Sequence, residues 1–108
     1  MYDQVHELAN SIKNSDELKQ LIEAKKKVEE KEVGKKIIED FRKIQFEAYT
    51  EQVEKGNVSE ETMEKLKNIG SIISANSEVS NYFQAEARFG VLWEDIMNIL
   101  NEAVNIDS

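Results

Sequence analysis

The chain holds one histidine, His6, and no cysteine. His6 has Asp3 three residues before it and Asn10 four after, which puts all three on neighbouring turns of a helix. A catalytic histidine needs a nucleophile or an orienting carboxylate inside a defined pocket. Asp3 offers only a neighbour on the helix surface. The acidic pairs Glu39–Asp40 and Glu94–Asp95 suggest carboxylate metal ligands. Di-metal sites in helical bundles, however, also use a Glu followed by a His three residues on, and no Glu stands three residues before His6. There is no nucleophile elbow, phosphate-binding loop or dinucleotide fingerprint. Without cysteine there is no disulfide, thiolate zinc site, cysteine-ligated cluster or cysteine nucleophile. The residues therefore predict no catalytic site, no metal site and no cofactor.

A different concentration of chemistry lies in NYFQAEARFGVLWEDIMNIL, residues 81–100. Tyr82, Phe83, Phe89 and Trp93 are four of the eight aromatic residues in the chain. With Val79, Glu86, Gly90, Ile96, Met97, Leu100 and Val104 they follow a 3–4 spacing, the signature of a helix packing face. Phe89 and Trp93, four residues apart, stack along that face. A ligand pocket would need polar groups converging from several elements, and only Glu86 and Gln45 sit on the apolar stripes. The stripe is therefore read as core or dimer interface, and a core Trp93 would cost several kcal/mol on truncation to alanine. A carboxylate at Glu86, between Phe83 and Phe89, calls for an ion pair with a lysine or arginine of another helix. A charge that selects a partner is the second reading.

The elements that position these residues read as helices throughout. Val5, Leu8, Ala9 and Ile12 give a helix over 3–13. Asn14, with Glu17 three residues on, reads as the next cap, with Ser15 as the alternative. A second helix covers 16–29, with Leu18, Leu21, Ile22, Lys25 and Val28 on one face. A short break near Glu30–Glu32 precedes a third over 32–55, although one continuous helix from 16 to 55 is an alternative. Its stripe is Ile37, Ile38, Phe41, Ile44, Gln45, Ala48, Gln52 and Val53. Gly56 ends it in a left-handed conformation, and Ser59 caps a fourth helix carrying Met63, Leu66, Ile69, Gly70 and Ile73. Asn76 caps a fifth, over 77–104. The expected fold is all-α: one domain, residues 1–108, an antiparallel bundle of about five helices, two of them long (32–55 and 77–104). One short chain cannot hide both long stripes, so a homodimer is expected.

Composition supports this. The chain has 108 residues, no proline, four glycines and 33% charged residues, a helical profile. No apolar run is long enough to span a membrane. The N-terminus shows no basic region followed by an apolar stretch, so a cytoplasmic protein is expected. The net charge of −8 falls wholly on residues 44–108, while residues 1–43 are neutral. That acidity argues against broad nucleic-acid binding. The lysines at 25, 26, 27, 31, 35 and 36 alternate with Glu29, Glu30, Glu32 and Glu39. They read as a solvated face with pairs such as Glu32–Lys36.

YDQVHELANSIKNSDELKQL at 2–21, FRKIQ at 41–45, Gly56 before SEE, and YFQAEARF at 82–89 together resemble the YlbF/YmcA/YheA family of small bacterial helical proteins, YheA-type members most of all. The resemblance covers almost the whole chain. It implies an all-helical oligomer of the bacterial cytosol without known enzymatic activity. YlbF and YmcA members are implicated in a complex that acts with a membrane-anchored endoribonuclease and influences mRNA maturation, competence, sporulation and biofilm formation. Phe41, Gln45, Gly56, Ala85, Glu86 and Phe89 match the family's recurring positions. That complex is associated with cysteine-held iron–sulfur clusters, and this chain has no cysteine to hold one.

Together these readings predict a non-enzymatic, homodimeric adaptor or regulatory protein working through protein–protein contacts. An RNA-associated factor working with an endoribonuclease complex is the alternative. The interface candidates are Phe41, Gln45, Tyr82, Phe83, Glu86, Phe89, Trp93 and Met97. Glu86, Gln45 and the lysine-rich face are expected to choose the partner.

Overall fold

Short polar side chains at the breaks set the helix boundaries. Ser15 accepts a hydrogen bond from the Leu18 amide at 3.2 Å, which starts the second helix. Asn14 instead closes the first, donating from its side chain to the Asn10 carbonyl at 2.8 Å. Of the two candidate caps, Ser15 is the one used. In the computed structural model, which describes residues 1–105, the helices are α1 (Tyr2–Lys13), α2 (Asp16–Glu29), α3 (Glu32–Lys55), α4 (Glu60–Ala75) and α5 (Ser77–Ala103). The fold is all-α, with no strand among the described residues.

Two compact units divide the chain. One is Lys26–Asn81, and the other joins Met1–Lys25 to the segment from Tyr82 onward. Within Lys26–Asn81, α2 and α3 are separate helices with a break at Glu30 and Lys31. Gly34 makes the corner possible. It is buried in the first turn of α3, and a Cβ there would lie 3.1 Å from both the Val28 carbonyl oxygen and Val28 Cγ1. Any side chain would press on the backbone of the preceding helix.

α3 ends at Gly56, whose φ of 80° is left-handed, a conformation open to glycine at little cost. Ser59 then caps α4 by accepting from the Thr62 amide at 3.2 Å. The two helices run antiparallel. Near the turn, Glu51 of α3 meets Ser59 and Thr62; further along, Glu47 meets Lys65. Further still, Asp40 and Ile44 line a shallow hollow with Ile69 and Ile72. Asn76 closes α4 and opens α5: its amide donates to the Ile73 carbonyl and its side chain accepts from the Val79 amide at 3.0 Å. Val28, Ile37, Ile69 and Val79 are buried in this unit, and Ala24 and Ala85 in the other.

Candidate functional site

In the unit that holds α1 and the larger part of α5, the chain presents an open apolar groove. Val5, Leu8, Ala9 and Ile12 of α1 line it with Trp93, Ile96, Met97 and Leu100 of α5. These are the two faces that the 3–4 spacing selects, and the structure brings them together. They are not fully covered: Val5 is 52% exposed, Trp93 47% and Leu100 45%. Phe89 supports the indole from within the same helix, with ring centroids 6.3 Å apart and planes tilted by 32°.

Trp93 is therefore a surface residue of this chain, not a core one. Burial of about half its side chain makes Trp93→Ala cost about 1–2 kcal/mol, not the 3–5 of a core aromatic. Thermal unfolding of the variant checks this, and a loss above that range would mean that the indole is covered in solution.

The other sequence candidates occupy several places. Tyr82 and Phe83 are half-buried neighbours, with centroids 5.4 Å apart. The Tyr82 hydroxyl donates to Glu86 Oε2 at 3.0 Å, so a tyrosine one turn back on the same helix holds the carboxylate set among the aromatics. Arg88, on a different face, donates to Gln20 of α2 at 3.1 Å. Phe41, Phe89 and Met97 are half-buried and Gln45 is exposed. His6 is exposed on α1. No group of three or more His, Cys, Asp or Glu residues with metal-holding geometry occurs among the described residues.

The lysine-rich segment is laced with ion pairs. Lys31 lies 2.8 Å from Glu78, Lys35 3.2 Å from Glu32, and Lys36 3.0 Å from Asp40. Lys36 thus pairs forward with Asp40, and Glu32, expected to take Lys36, takes Lys35 instead. Hydrogen bonds and attraction from Glu78 and Asp40 raise the pKa values of Lys31 and Lys36 above 10.5.

Two features escape a reading based on stripes. One is polar. Thr62 is 1% exposed, and its hydroxyl donates to Glu51 Oε2 at 2.6 Å. The Ser59 amide donates to the other oxygen at 2.8 Å. These bonds, that from Thr62 first, hold the Glu51 carboxyl below its ordinary 4.5. The other feature is apolar. Phe46 and Tyr49 of α3 are 70% and 67% exposed, and Val53, expected on the inner stripe, is 67% exposed beside them. They share a face turned away from buried Ile37 and half-buried Ile44 and Ala48. A count of α3's apolar periodicity could have found this second row.

No helix among the described residues is long and apolar enough to cross a membrane. A family model described as control of competence regulator ComK, YlbF/YmcA, matches residues 1–105. A UPF0342 protein of Clostridium novyi is 61% identical over 99% of this chain and 94% of its own length. One from Clostridium tetani is 49% identical over 99% and 92%, and one from Halothermothrix orenii 40% over 93% and 85%.

Proposed function

The chain belongs to the YlbF/YmcA family, and on that premise we propose that it is a regulatory adaptor acting by contact with other proteins, not by catalysis. The family's description is regulatory, centred on the competence regulator ComK. The observation that carries the adaptor reading is the apolar surface left open on α1, α3 and α5. A chain that is one third charged has ample polar side chains to cover such surface, and exposed apolar patches of this kind mark sites of protein association. We propose a homodimer as the working form, in the cytoplasm, with the whole chain as one domain. Gln45, Trp93 and Met97 are the exposed or groove-lining members of the interface set. Phe41, Tyr82, Phe83, Glu86 and Phe89 are its half-buried members.

The test is a tagged pull-down from a native host, with and without nuclease, comparing wild type with Trp93→Arg. The adaptor reading expects the same protein partner in repeated, stoichiometric recovery, insensitive to nuclease and depleted in the variant. Recovery of only the chain itself would remove the adaptor role. Recovery of an endoribonuclease complex that nuclease disperses would favour the RNA-associated alternative. That alternative rests on the segment from Lys25 to Lys36, where Lys31, Lys35 and Lys36 already have carboxylate partners.

A further inference from the structure

We infer that the outward face of α3 from Gln45 to Val53 is the seam on which a second copy of this chain docks, antiparallel, with Phe46 of each copy against Tyr49 of the other. The inference deepens the homodimer reading and rests on it. Its first support is charge. A chain carrying −8 repels its own copy unless the surfaces that meet are free of negative charge. From Ile44 to Val53 the only carboxylates are Glu47 and Glu51. Both turn toward α4, Glu47 to Lys65 at 3.2 Å and Glu51 to Thr62 and Ser59. What faces outward is Gln45, Phe46, Tyr49, Gln52 and Val53, all exposed. This acidic protein thus presents an uncharged helix face led by two aromatics.

The second support is geometry. Phe46, Tyr49 and Val53 follow the 3–4 spacing of a helix–helix seam. Their positions allow a parallel or an antiparallel pairing. Parallel pairing would set Glu39 against Glu39 and Arg42 against Arg42, which lie in line with the same row. Antiparallel pairing with Phe46 against Tyr49 avoids both, since it sets Arg42 opposite Val53 and Glu39 opposite Gly56 of the other copy. Two aromatics and a valine, each about two-thirds exposed, supply the apolar centre of such a seam, with Gln45, Thr50 and Gln52 flanking it. Aromatic anchors of this kind dominate interface energetics.

The experiment is sedimentation equilibrium on wild type, Phe46→Lys, Tyr49→Glu, and an equimolar mixture of the two variants. Circular dichroism confirms that each is folded, as expected for substitutions at exposed positions. Wild type is expected to dimerise, and each variant alone to lose roughly a hundredfold in affinity. The mixture is expected to regain a dimer, because Lys at 46 of one variant then faces Glu at 49 of the other while the second Phe46–Tyr49 pair is intact. A wild-type dimer whose affinity neither variant changes would place the seam elsewhere and leave the homodimer standing. Loss in both variants without recovery in the mixture would overturn the antiparallel pairing. A wild type that remains monomeric would overturn the homodimer and the seam together.

Discussion

Gly34→Val is expected to destabilise the protein by about 2–3 kcal/mol, the upper range for an overpacked site. For a domain of this size that lowers the melting temperature by roughly 10–20 °C. The reason lies in the α2–α3 corner. The first added carbon already sits 3.1 Å from the Val28 carbonyl oxygen and from Val28 Cγ1, and valine adds two methyls to it. A backbone oxygen cannot rotate away as a side chain can. It also accepts from the Lys31 amide at 3.3 Å, so moving it disturbs the turn. Gly34→Ala is expected to lose about 1 kcal/mol, since the smaller clash outweighs alanine's better helix propensity. The other helical glycines supply the contrast. A Cβ at Gly70 or Gly90 meets nothing within 4 Å, so Gly70→Ala and Gly90→Ala should each gain up to about 1 kcal/mol. Should Gly34→Ala stabilise as much as those two in thermal melts, the corner yields and Gly34 does not determine it.

The glycines also show how far sequence reasoning reaches. Gly56 and Ser59 announce the end of α3 and the start of α4 because turn and cap chemistry is local. The break after Glu29 has no side-chain cap to mark it, so the sequence leaves a break near Glu30–Glu32 and one continuous helix both open. Gly34's role is hidden too, since it depends on the approach of Val28 from the preceding helix. Asn14 and Ser15 are both good caps on composition. Only the backbone decides that one closes α1 and the other opens α2. The spacing on α3 predicts a single face. Ile37, Ile44 and Ala48 do turn inward, but Gln45, Gln52 and Val53 are exposed, and the inward face is completed by Glu47 and Glu51. A hydrophobicity pattern leaves out carboxylates, so it drifts toward the outer row that holds Phe46 and Tyr49. Trp93 sits in the groove its spacing indicates. Periodicity says which face a residue is on, and coverage depends on what else reaches that face.

Thr62→Val is expected to lower the melting temperature by roughly 5–10 °C at neutral pH, although it keeps the shape of the side chain. The buried hydroxyl is the closest donor to the Glu51 carboxylate, and without it a partly covered charge keeps Ser59 and the attraction of Lys55 but loses its largest support. Thr62→Ser, which retains the hydroxyl, should recover most of the loss. The pH dependence separates this account from simple packing. Because Glu51 is held below 4.5 in the folded chain, its contribution is present in full above 4.5 and is lost as pH falls through the lower folded value. The gap between wild type and Glu51→Gln should therefore be widest near neutrality and narrow in acid. Lys65 titrates in the opposite sense. Its pKa is raised above 10.5 chiefly by the hydrogen bond to Glu47, so its contribution is present below 10.5 and fades only as pH rises through the folded value. Across the range between, the α3–α4 pair keeps both links, which hold Glu47 and Glu51 toward α4 and leave the outer face of α3 from Gln45 to Val53 free of charge. A gap between wild type and Glu51→Gln that stays constant from neutral to acid pH would detach Glu51's charge from that arrangement.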